Sequence, residues 1–115
     1  MLFRSRIIAA LLGLPEEDFP QFQRWSISML SFTVNPERGK AASQALVDYF
    51  KPILAARRVD PREDLISALA AAEIDGHSLE DEDIYSFIRL LLPAGVETTY
   101  WSFGNLLFGL LINQD

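Results

Sequence analysis

The chain has no cysteine among its 115 residues. Disulfides, Cys-ligated metal centres and thiol nucleophiles are therefore excluded, and a reducing compartment fits without being required. Histidine is nearly as scarce: His77 stands alone in a predicted turn, with no second ligand to make a metal site. Positive charge is in deficit, 10 Lys and Arg against 16 Asp and Glu. No basic stripe interleaved with aromatics occurs, so nucleic acid is not an expected partner. Period-two alternation is missing over any useful length, and there is no internal repeat. Ser26, Ser67 and Ser102 lack His and Asp partners at useful spacing, which leaves serine hydrolase chemistry without support.

Long uncharged runs are also short of what a membrane needs. The stretch from Thr98 to Gln114 is 17 residues, but threonine, serine, asparagine and glycine interrupt it. Met1 to Leu14 has the outline of a signal peptide, with Arg4 and Arg6 before Ile7 to Leu12. Gly13-Leu14-Pro15-Glu16-Glu17 follows without a small-residue cleavage site, so the segment reads as a helix ending near Gly13.

Half of the residues are hydrophobic, which is enough to build a core and argues against disorder. The pattern is helical throughout, and the expected fold class is all-α. A second helix is predicted over about Phe19 to Phe32, with Phe22, Trp25, Ile27, Met29 and Leu30 as its apolar side chains. A third runs from about Glu37 to Arg58, its face marked by Ala42, Ala45, Leu46, Tyr49, Phe50, Ile53 and Leu54. Pro52 should kink it. A short fourth helix spans Leu65 to Ala72, and Asp75-Gly76 is a turn. Nine of the sixteen acids fall between Asp60 and Asp83, which reads as a solvated face. Trp25 and Trp101 read as packing residues.

The fifth helix is the longest, predicted from Ser78 to Asn113 with Ser78 as its N-cap. Its middle, Pro93-Ala94-Gly95-Val96-Glu97-Thr98-Thr99, is poor helix sequence. Pro93 removes a backbone donor, Gly95 adds freedom, and Thr98 can donate to the carbonyl of Ala94. From the residues alone this is either a functional site or a kinked core helix with a chance acid.

Ala94-Gly95-Val96-Glu97-Thr98-Thr99 resembles the A-G-x-(D/E)-T-T motif in the distal helix of cytochrome P-450 haem-thiolate monooxygenases. Three further segments match in order. Ile8 to Asp18 is similar to the I-x-x-L-L-G-(L/V)-P-E-E-D segment of bacterial-type members. Ala45 to Leu54 with Arg57-Arg58 is similar to their G helix, and Asp64 to Leu69 to their H helix.

The resemblance implies part of the cytochrome P-450 fold: the end of helix E, helices F, G and H, and the long kinked I helix. It places residues 1–115 in a partial domain without the E-x-x-R helix or the loop bearing the haem-ligating cysteine. The chain cannot supply the axial thiolate, and alone it is expected to be inactive. The implied cofactor is haem (iron protoporphyrin IX), with dioxygen as co-substrate. Ala94, Gly95 and Thr98 match the cofactor-facing positions. Thr98 matches the threonine that hydrogen-bonds the bound oxygen, and Glu97 the acid that relays protons to it. Thr98 otherwise serves only to bend the helix through Ala94.

Leu90, Pro93, Met29 and Leu30 either line the substrate pocket or are ordinary core. The implied partners are a small apolar organic substrate and a redox protein such as ferredoxin or flavodoxin with its reductase. A soluble, cytoplasmic protein is expected. The competing reading is a small helical interaction protein, or a gene remnant, without catalysis.

Overall fold

The computed structural model describes residues 2–113, leaving out the side chains at 2–5, 96, 97, 99 and 100. Five helices are joined by short turns: α1 (Leu2–Leu11), α2 (Phe19–Leu30), α3 (Pro36–Val59), α4 (Leu65–Ala71) and α5 (Asp81–Ile112). Single 3-10 turns, Glu16–Asp18 and Ser31–Thr33, lead into and out of α2. The fold is all-α, as the periodicity indicated.

Each boundary has a local cause. Gly13, at φ +72°, ends α1: the N–H of Leu14 reaches back to Ala9 O at 2.9 Å and that of Gly13 to Ala10 O at 3.0 Å. This six-residue closure satisfies carbonyls the helix end leaves open, and it needs a left-handed residue. Pro20 falls in the first turn of α2, and Pro36 opens α3 with the Asn35 side chain accepting from Arg38 N–H. Asp64 caps α4 by accepting from Ser67 N–H at 2.8 Å.

The start of α5 differs from expectation. Ser78 is not its cap. Glu80 is, in a reciprocal box with Asp83, and Asp81 opens the helix. Ser78 is instead taken by a small hairpin, β1 (Glu73–Ile74) against antiparallel β2 (His77–Ser78), turned at Asp75-Gly76. Two residues per strand are too few to leave any alternation in sequence.

The core gathers one face from each helix. Leu12, Phe22, Leu46, Phe50, Leu54, Ile66, Ile84, Ile88 and Leu92 are fully buried. Each contributes roughly 1.5–3 kcal/mol of transfer free energy. The predicted face of α3 is the one that packs, and the apolar side chains expected on α2 divide: Phe22 is buried, Trp25 and Met29 pack at the core margin. Phe19, Phe22 and Ser26 point inward while Ile27 and Leu30 face out. The buried Ser26 hydroxyl donates to Phe22 O at 2.9 Å, so no polar atom is stranded there. Phe22, Trp25, Tyr49 and Phe50 meet edge-on or tilted, with ring centroids 5.1–5.8 Å apart. Tyr49 donates to Asp18 Oδ2, tying α3 to the turn before α2. Burial, then the Asp18 carboxylate, push its phenol far above the usual tyrosine range.

Two arginines at the end of α3 fix the neighbouring elements. Arg57 Nε pairs with Asp64 Oδ2 at 2.7 Å inside the protein. Arg58 holds Asp81 at 2.7 Å, Leu79 O at 3.0 Å and Ala70 O at 3.2 Å. One guanidinium thereby joins the ends of α3 and α4 to the start of α5. The Ser67 hydroxyl accepts from Arg62 N–H at 2.9 Å and holds this corner, a structural duty and not a nucleophile's.

Among the described residues, no helix is long and apolar enough to cross a membrane. α5 is nonetheless unusual in its second half. Its large apolar side chains from Trp101 to Ile112 are 44–66% exposed. Trp101 is thus not a core residue here.

Candidate functional site on the long helix

Pro93 sits inside α5 without interrupting it. Having no N–H, it leaves the carbonyl of Arg89 without its helical donor, and its ring crowds that turn. Thr98, five residues on, donates its hydroxyl to Ala94 O at 2.6 Å. A proline and a back-bonded threonine straddling one turn weaken the regular ladder at that point.

The turn has two faces. At 3.6 residues per turn, Leu90, Ala94 and Thr98 advance only about 40° per step and lie along one line. Phe87 and Trp101 fall beside them. All five are exposed, Leu90 to 70%, and none carries a charge. Opposite runs the packed line of Ile84, Ile88 and Leu92. Gly95, seven residues after Ile88, lies on that packed side. A Cβ added to it would stand 2.2 Å from Ile8 Cδ1 of α1.

The expected site residues are therefore divided. Ala94, Thr98 and Leu90 come together on the open strip. Gly95 turns toward α1, its half-buried backbone adjoining the strip only through its neighbour. Pro93 is half-buried on the other flank. Glu97 lies in the helix between Ala94 and Thr98, but its side chain falls outside the described residues. Met29 packs at the core margin and, with Phe32, Gly39, Lys40, Ser43 and Gln44, lines a crevice between α2 and α3. Leu30 ends α2 and is 39% exposed.

Sequence reasoning missed two residues. Phe87 belongs to the open strip, three residues before Leu90. Ile8 faces Gly95. The first was legible from helical spacing, and the seven-residue interval from Ile88 to Gly95 already put the glycine on the core side.

The strip suits one side of a flat, apolar cofactor: a small residue, flanking apolar side chains and one hydroxyl. No group of His, Cys, Asp or Glu among the described residues is arranged to hold a metal ion. With no cysteine, the chain cannot supply a thiolate ligand to an iron.

No family model matches the chain. Individual relatives do. A cytochrome P-450 of Bacillus subtilis (strain 168) is 38% identical over 112 residues, covering 95% of this chain and 27% of the relative. The erythromycin C-12 hydroxylase of Saccharopolyspora erythraea is 38% identical over 107 residues, 87% of this chain and 27% of that enzyme. The solved structure of CYP109E1 from Bacillus megaterium in complex with testosterone superposes with a TM-score of 0.84. It is 35% identical over 96% of this chain and 31% of its own length. The chain thus spans about a quarter of the length of the curated relatives it matches. In sequence and in fold, it belongs to the bacterial cytochrome P-450 family.

Proposed function

We propose that this chain is the distal-helix segment of a haem monooxygenase that inserts one oxygen atom of dioxygen into an apolar organic substrate. Residues 1–115 form a partial domain of that enzyme, and the segment alone is inactive. The observation that carries this reading is the uncharged strip of Leu90, Ala94 and Thr98, lying open at the turn Pro93 weakens.

Haem, when bound, supplies the iron at which dioxygen is activated. Ala94 would face it with a single methyl group, leaving space where a longer side chain would intrude. Thr98 contributes a hydroxyl that both donates and accepts. In this structure it donates to Ala94 O. Rotated about its side-chain bond, it can donate toward the open face while accepting from water. Glu97, one residue earlier, is the proton carrier: a carboxylate holds a proton arriving from solvent and passes it to the hydroxyl or an intervening water. Leu90, with Pro93, Met29 and Leu30 further out, gives an apolar lining that favours an apolar substrate and excludes bulk water.

The electrons come from a redox partner, a ferredoxin or flavodoxin with its reductase, and the enzyme is soluble and cytoplasmic. The test is Thr98→Ala in the complete enzyme. Product formed per reducing cofactor consumed should fall, with the difference recovered as peroxide. Equal coupling in variant and parent would remove Thr98 from proton delivery.

A further inference from the structure

Ala94 and Gly95 are consecutive, so they point about 100° apart around α5. Ala94 opens onto the strip with Thr98, and Gly95 faces α1. A Cβ on Gly95 would stand 2.2 Å from Ile8 Cδ1 and 3.4 Å from Ile8 Cγ1. Ile8 is itself 9% exposed, set beside Ala9 and Leu12, which are fully buried. The terminal methyl of Ile8 therefore occupies a notch left by the missing Cβ of Gly95, and any larger residue there would make that methyl shift. The notch lies two residues after Pro93, where the ladder of α5 has lost a bond. Where a helix is weakest internally, the packing around it sets its direction.

We propose that Ile8 is a positioning residue: by seating in the Gly95 notch it fixes the rotation of α5 at its weakened turn. Ala94 and Thr98 are thereby held on the open face. Ile8 meets α5 at Gly95 and acts on the strip through the helix. Its bearing on oxygen chemistry rests on the monooxygenase reading, whereas the packing relation does not.

The test uses a matched pair of changes. Gly95→Ala adds one methyl group, and Ile8→Val removes the methyl group it would meet. In the full 115-residue chain, the amide resonances of Ala94 and Thr98 report helix rotation, and the urea midpoint reports stability. Gly95→Ala should shift both resonances and lower the midpoint. Adding Ile8→Val should return both most of the way to the parent. The proposal is overturned if Gly95→Ala leaves the two resonances in place. It is equally overturned if the double variant is displaced as far as the two singles combined. A parent without dispersed resonances at Ala94 and Thr98 also overturns it, because a notch requires fixed packing. All readouts are taken without haem, so failure of the monooxygenase reading leaves them unmoved.

Discussion

Arg57 and Asp64 meet at 2.7 Å with only 8% and 4% of their side chains exposed. The pair closes the loop between α3 and α4, and Asp64 has further duties. It caps α4 through Ser67 N–H, and it lies so close to Gly13 that a Cβ there would stand 2.5 Å from its Oδ2. Arg57→Met would leave a buried carboxylate without its counter-charge. The expected loss is about 3–5 kcal/mol, read as a lowered urea midpoint. A change within error would mean that the carboxylate finds another partner.

The same pair predicts an acid limit. Burial works to raise the pKa of Asp64, but the Ser67 amide and the Arg57 guanidinium outweigh it and hold the carboxyl below its ordinary value. A folded-state value below the unfolded one contributes stability above the ordinary Asp pKa of about 4. That contribution is lost as pH falls through the lower folded value. Urea midpoints taken from about pH 6 down to about pH 2 should therefore decline more steeply for the parent than for Asp64→Asn. Parallel curves would remove Asp64 from the acid response.

Arg58 predicts a local effect. Its contacts to Asp81, Leu79 O and Ala70 O anchor the start of α5. Arg58→Met should cost about 1–2 kcal/mol and speed hydrogen exchange at the first turns of α5 more than in α3. Uniform acceleration across the molecule would show that the arginine acts on global stability instead.

Ala94 tests the open face without touching the core. Ala94→Leu adds bulk where the side chain is exposed, so the unfolding free energy from urea titration should stay within about 0.5 kcal/mol of the parent. Haem incorporation by the complete enzyme should fall severely. Normal haem content in the variant would place the cofactor on another face.

The helices were legible because their signals are local. Gly13, Pro20, Pro36 and Asp75-Gly76 punctuate the chain where the structure turns, and the face of α3 follows from spacing alone. The first residue of α5 was misread because two capping patterns overlap, Ser78 with Asp81 and Glu80 with Asp83. The hairpin claims Ser78, a choice made by pairing across a turn. The inward place of Ser26 on α2 was hidden for a related reason: it is polar, yet its bond to Phe22 O lets it lie there while Ile27 faces out. The motif around Thr98 was plain in sequence. The seven-residue interval from Ile88 already turns the glycine toward the core, but that Ile8 of α1, more than 80 residues away, meets it there only the packed structure reveals.

The division of α5 into a packed half and an uncovered half has a mechanical consequence. From Gly95 to Ile112 the helix extends roughly 25 Å at 1.5 Å per residue, a rigid arm with its fulcrum at Ile8. A tilt of about 5° at the fulcrum would carry the tip roughly 2 Å sideways at that arm length. Side chains packed to interior density cannot absorb such a displacement without repacking. Whatever covers Trp101 to Ile112 is thereby geared to the setting of Ala94 and Thr98, through one methyl group resting against one glycine.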